Sequence, residues 1–118
     1  MDPTIESLTR SLRAFAAERD WEQFHSPKNL ACALSVEAAE LLEHFQWLTD
    51  EQSRRLPPEQ LAAVAHEAAD VLLYLLQLTD KLGIDVAAAA LDKIEVNARK
   101  YPAGEVRGSS RKHTDPRS

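Results

Sequence analysis

The sequence predicts an all-α fold, a four-helix bundle whose copies assemble as a dimer or tetramer. Three observations lead there. Alanine and leucine dominate, β-branched residues are sparse, and no segment alternates apolar with polar residues as a half-buried strand would. Apolar residues instead recur at three- and four-residue spacing in four stretches, bounded by Pro, Gly or capping residues. Finally, Ala31, Ala38 and Leu42 lie across the second stretch from its main stripe, and Leu73 does the same in the third. A lone domain of 118 residues buries only about two-thirds of its unfolded surface, so helices that are apolar on two sides require a further subunit.

The first helix is expected to start at Asp2 as N-cap with Pro3 in its first turn, striped by Ile5, Leu8, Leu12 and Phe15. It ends near Asp20 or Trp21. Ser26-Pro27 opens a second helix from about Lys28 to Leu48, with Leu30, Leu34, Leu41, Phe45 and Leu48 on one face. Thr49 to Leu56 is a polar connector with room for one helical turn. Pro57-Pro58 opens a third helix, striped by Leu61, Val64, Ala68, Val71, Leu72 and Leu75, which stops before Gly83. Asp85 caps a fourth helix reaching Lys100 and ended by Tyr101-Pro102. The folded domain is therefore residues 1–102. Residues 103–118, rich in Gly, Ser, Pro and basic side chains, read as a flexible basic tail.

A net charge of −5 argues against a nucleic-acid partner, whose binding rests largely on Lys and Arg. It leaves room for a small polyphosphate, provided divalent cations stand between carboxylates and phosphates. No stretch reads as a run of roughly 20 apolar residues, so no membrane partner is expected. The start lacks a basic region followed by an apolar one, and Cys32 is the single cysteine. Both features suit a cytoplasmic location.

Four acids carry the chemistry. Glu37 and Glu40 are three apart on the second helix, and Glu67 and Asp70 are three apart on the third, so each helix presents two carboxylates on one face. Glu37 falls inside the apolar stripe of its helix, and Glu67 falls at the edge of its own. A carboxylate facing a core costs several kcal/mol unless it is paired or binds metal. Few basic residues share those faces. An E-x-x-E pair alone usually means a solvated helix face; two such pairs facing inward on adjacent helices weigh evenly between a metal site and none. Oxygen-only ligands suit Mg²⁺ or Mn²⁺ better than Zn²⁺. A di-iron bundle requires Glu-x-x-His on two helices, and here only Glu22 to His25 has that spacing, at a helix break.

Glu37-x-x-Glu40 followed by Glu67-x-x-Asp70 resembles the E-x-x-E…E-x-x-D signature of the MazG-like all-α nucleoside triphosphate pyrophosphohydrolases. The stretches Phe15 to His25, Glu37-Ala-Ala-Glu-Leu41 with Phe45-Gln-Trp47, Asp70-Val-Leu-x-Tyr74-Leu75, Lys93-x-x-x-Asn97-x-x-Lys100-Tyr-Pro102 and Ser109 to Lys112 resemble its eukaryotic-type dCTP pyrophosphatase branch. The resemblance implies MazG-like protomers in a homo-oligomer, tetramer favoured over dimer, acting on a deoxynucleoside triphosphate. It implies Mg²⁺ (or Mn²⁺) on Glu37, Glu40, Glu67 and Asp70. It assigns substrate contacts to Trp21, Glu22, Gln23, Phe24, His25, Trp47 and Tyr74, and phosphate neutralisation to Lys93, Asn97 and Lys100. One position departs: Leu12 stands where that branch carries a substrate-contacting His.

Without the resemblance, Trp21 and Trp47 read as core packing, His25 equally as a donor to a base or sugar or as a loop-closing residue, and the Lys93 to Lys100 face as solvated. With it, the expected reaction is hydrolysis of dCTP to dCMP and pyrophosphate, with Glu40 and Glu67 catalytic and Glu40 accepting a proton from water. Glu43 is at most an outer neighbour, and Arg111 with Lys112 a solubilising tail. Two rivals stand beside this: a broader dNTP or dUTP pyrophosphohydrolase, which Leu12 favours, and a non-catalytic helical nucleotide-binding scaffold.

Overall fold

The computed structural model describes residues 2–108, and among them every regular element is helical. The elements are α1 (Ile5–Glu18), a 3₁₀ turn (Glu22–Phe24), α2 (Pro27–Glu43), α3 (Asp50–Ser53), α4 (Pro58–Lys81), α5 (Val86–Lys100) and α6 (Ala103–Val106). They form two compact units, Met1–Ile84 and Asp85–Ser118.

In the first unit α4 is the spine, with α2 and α1 packed along it. Ala16, Leu30 and Leu76, one from each of these helices, are its buried apolar side chains among the described residues. On α4 the deepest positions are Leu76 and Thr79, whereas Leu61 and Leu72 of the expected stripe are exposed. Thr79 tolerates burial because its hydroxyl donates to the Leu75 and Leu76 carbonyls at 3.0 and 3.1 Å. Arg13 on α1 grips Asp80 on α4 with Nε on one carboxylate oxygen and Nη2 on the other, at 2.8 and 2.5 Å. The guanidinium holds the Asp80 carboxyl below its usual range.

Local rules set the ends. The start of α1 lies beyond Asp2-Pro3, because Thr4 and Ser7 form a reciprocal box: Thr4 Oγ1 accepts from Ser7 N at 3.0 Å and Ser7 Oγ from Thr4 N at 2.8 Å. Its far end is a Schellman turn with Trp21 N on the Ala16 carbonyl and Asp20 N on that of Ala17. Asp20 takes the left-handed conformation (φ 53°) that such a turn needs, which aspartate tolerates better than most residues. Ser26 and Pro27 open α2 as expected, with Ser26 Oγ accepting from Asn29 N at 3.1 Å.

The second helix is shorter than its apolar period suggests. It ends at Glu43, and residues 44–48 form turns. Phe45 N and Gln46 N both bond the Leu42 carbonyl, which breaks the α ladder, and Thr49 must be extended to cap α3. The third and fourth expected helices match α4 and α5. Gly83 follows α4 at φ 67°, with Ile84 N on the Thr79 carbonyl, and Asp85 Oδ1 caps α5 by accepting from Ala88 N at 3.0 Å. By length and mean hydropathy alone, α4 reaches the range of a membrane span. Its middle, however, carries Glu67 and Asp70, groups that are costly in lipid.

In the second unit, α6 turns residues 103–106 of the supposed tail into a helical turn after Pro102. Residues 109–118 of that tail, with Arg111 and Lys112, lie outside the described residues.

Candidate active site

Because α2 and α4 pack side by side, their acid pairs meet. One carboxylate oxygen each from Glu37, Glu67 and Asp70 lies within 4.8 Å of the others. Glu40 joins them through contacts with both Glu37 and Glu67. No Lys or Arg forms an ion pair with these acids among the described residues. Glu37 Oε2 is buried without a hydrogen-bond donor, since its neighbours are carboxylates that can share a proton but not supply one when ionised.

The electrostatics follow from this crowding. Contact with Glu40, then desolvation and the charges of Glu40 and Glu37, push the Glu67 carboxyl up to about 7. Desolvation, then Glu40 and Asp70, raise Glu37 as well. An orphaned buried oxygen, an all-carboxylate donor set and the absence of basic partners fit a hard divalent cation.

Asp70 also belongs to a second feature. A cleft of about 390 Å³ opens beside it between α1, the turn after α1, and α4. Leu8, Leu12 and Leu73 give its apolar wall, Phe15 and Trp21 its aromatic side, and Ser11, His25, Tyr74 and Gln77 its polar groups. The aromatic side is held in place. Phe15 and Trp21 meet edge-to-face with centroids 5.6 Å apart, and the Arg19 guanidinium lies 3.6 Å from the Phe15 ring centre. The Schellman turn at Asp20 is what brings Trp21 back alongside α1. Leu8, Leu12 and Phe15 of the apolar α1 stripe thus serve as a cleft wall.

Comparisons with known proteins agree with this architecture. The MazG-like family model matches residues 32–115. The chain is 47% identical to dCTP pyrophosphatase 1 of Homo sapiens over 116 residues, covering 97% of this chain and 68% of that protein. The dCTP pyrophosphatase 1 of Mus musculus is 44% identical over the same coverage. A solved pyrophosphatase from Archaeoglobus fulgidus DSM 4304 superimposes with a TM-score of 0.79 at 42% identity, covering 86% of this chain and 95% of that one. The chain belongs to the MazG-like family.

Among the residues singled out by family resemblance, the structure gathers Glu37, Glu40, Glu67 and Asp70 in one cluster and Trp21, His25 and Tyr74 in the adjoining cleft. The others in the first unit line neither. Glu22 lines a small cavity beside the Arg13–Asp80 pair. Gln23 spends its amide on the Asp20 carbonyl and carboxylate at 3.0 and 3.2 Å. Phe24 is exposed, and its carbonyl accepts from Asn29 Nδ2 at 3.0 Å. Trp47 is 86% exposed on the turns after α2 and does not line the cleft, because α2 stops before it. Lys93, Asn97 and Lys100 are exposed on α5, in the second unit. Leu73, read as a far-side residue, lines the cleft. Gln77 does so too, and sequence reasoning missed it. Its spacing of seven from Asp70 and three from Tyr74 marks the same helix face.

Proposed function

We propose that the protein hydrolyses dCTP between its α- and β-phosphates, giving dCMP and pyrophosphate, and so removes surplus or modified deoxycytidine triphosphate from the nucleotide pool. One observation carries this reading: Asp70 belongs both to the carboxylate cluster and to the aromatic cleft, so a triphosphate at the acids has its nucleoside directed at Trp21 and Tyr74. Glu37, Glu40, Glu67 and Asp70 would hold Mg²⁺, with Mn²⁺ as a substitute. A divalent cation there supplies neutralisation of the polyphosphate and a water acidic enough to attack phosphorus.

Glu40, touching both Glu37 and Glu67, accepts the proton of the attacking water. In-line attack at the α-phosphorus breaks its bond to the bridging oxygen and expels pyrophosphate. Trp21 stacks on the base, His25 hydrogen-bonds the nucleoside, and Tyr74, one turn from Asp70, meets the sugar. The family resemblance assigns Glu22, Gln23, Phe24 and Trp47 to substrate, and Lys93, Asn97 and Lys100 to phosphate.

The working form is a homo-oligomer, tetramer favoured. The small core of the first unit and the exposure of Val36, Leu42, Leu61, Leu91 and Ile94 support it. A freely diffusing nucleotide requires neither membrane nor nucleic acid, and the reading places the enzyme in the cytoplasm.

The test is a product assay over all dNTPs and NTPs, with and without Mg²⁺, that separates pyrophosphate from orthophosphate. Pyrophosphate and dCMP, with dCTP preferred, is the expected outcome. Pyrophosphate from many nucleotides alike would replace the dCTP reading by broad specificity. No product in Mg²⁺ or Mn²⁺ would leave a nucleotide-binding scaffold.

A further inference from the structure

We propose that Gln77 is the residue that reads the 4-amino group of the base, and so separates cytosine from uracil; the inference rests on the dCTP reading above. Asp70, Tyr74 and Gln77 are spaced four and three residues apart on α4, and all three line the cleft. Seven residues of helix advance about 10 Å, comparable with the reach from the α-phosphate of a nucleotide to the far edge of its pyrimidine. With the phosphates at Asp70 and the sugar at Tyr74, the edge bearing the 4-substituent arrives at Gln77.

A freely rotating glutamine cannot tell an amine from a carbonyl, because turning its amide over exchanges donor for acceptor. Gln77 is not free. Its Nε2 donates to the Leu73 carbonyl, one turn back, at 3.2 Å. A carbonyl can only accept, so the nitrogen must face it and the amide orientation is fixed. Oε1 has no donor among the described residues. With its nitrogen held at Leu73, Gln77, which lines the cleft, has an acceptor to spare, and this suits a 4-amino group and opposes a 4-keto oxygen. His25 can present either a donor or an acceptor nitrogen, so it lacks this bias. Leu12, on the facing helix, supplies contact without polarity. The base's 4-position is thus read from α4.

The experiment measures kcat and KM for dCTP, dUTP and the 2-pyrimidinone deoxynucleoside triphosphate, which lacks a 4-substituent, in wild type, Gln77→Leu and Gln77→Glu. Wild type should prefer dCTP over each analogue by about tenfold or more in kcat/KM. In Gln77→Leu the three substrates should come within about twofold, through KM for dCTP, with the melting temperature unchanged. Gln77→Glu presents acceptors only and should keep the preference. A wild-type ratio in Gln77→Leu overturns the proposal. So does a wild type that handles the 2-pyrimidinone analogue as well as dCTP, a comparison that needs no variant to fold. Wild type turning over all nucleotides equally would remove the role of Gln77 but keep the pyrophosphohydrolase. No turnover of any nucleotide would remove the proposed function itself.

Discussion

Cation binding at the acid cluster should release protons. In the cation-free protein, Glu67 titrates near 7 because Glu40 crowds it, solvent is withdrawn, and the Glu40 and Glu37 charges oppose its ionisation. A cation takes the ionised carboxylate, so at low pH it must first displace the proton. With that value, binding releases about 0.9 proton at pH 6 and about 0.1 at pH 8, and apparent affinity rises about tenfold over the interval. The folded cluster also binds more protons than the unfolded chain between about 4.5 and 7, so stability of the cation-free protein falls as pH rises through that window. Titration calorimetry with Mg²⁺ or Mn²⁺ in two buffers of different ionisation heat reads the proton count directly. Glu67→Gln should bind cation more weakly and lose the pH slope. A flat affinity from pH 6 to 8, with no buffer-dependent heat, would refute the crowding argument.

Further outcomes follow from the same geometry. Glu67→Ala should abolish turnover while circular dichroism and melting show an intact fold; retained turnover would mean that Glu67 is not catalytic. Trp21→Ala should raise KM for dCTP by the equivalent of about 1–3 kcal/mol of stacking, roughly 5- to 150-fold, with kcat changed less. Arg13→Ala should lower the melting temperature at neutral pH. The Asp80 pKa is depressed by Arg13, so that stabilisation is present above the ordinary aspartate range and lost as pH falls through the folded pKa, and wild type and variant should converge in acid. Gly83→Ala should destabilise by about 1 kcal/mol in denaturant titration, purely through its left-handed backbone, since no atom lies within 4 Å of an added Cβ.

Helix identity was legible wherever caps and period agree. Ser26-Pro27, Gly83 and Asp85 marked their boundaries because orphan backbone groups are satisfied locally there, by the side chains of Ser26 and Asp85 and by backbone bonds around the left-handed Gly83. The N-terminus of α1 was misjudged because Asp2-Pro3 and Thr4-x-x-Ser7 are rival starts, and only the latter satisfies two donors reciprocally. Periodicity likewise carried α2 to Leu48, since apolar spacing does not register that the Thr49 cap must leave the helix. The acid cluster was legible because a three-residue step fixes two carboxylates on one face.

What the sequence determined by itself is therefore local: helices, most of their ends, and two pairs of acids on the inward faces of two of them. Tertiary structure alone decided which faces meet. Packing α2 on α4 put Glu37 Oε2 into a buried position without a donor and raised the Glu37 and Glu67 carboxyls. The left-handed turn at Asp20 set Trp21 beside Phe15, and packing α1 on α4 made the α1 stripe one wall of the cleft that Asp70 and Gln77 line from the other side. Spacing along a helix fixes an angle about its own axis. Desolvation and charge repulsion depend on distances between helices, which packing sets.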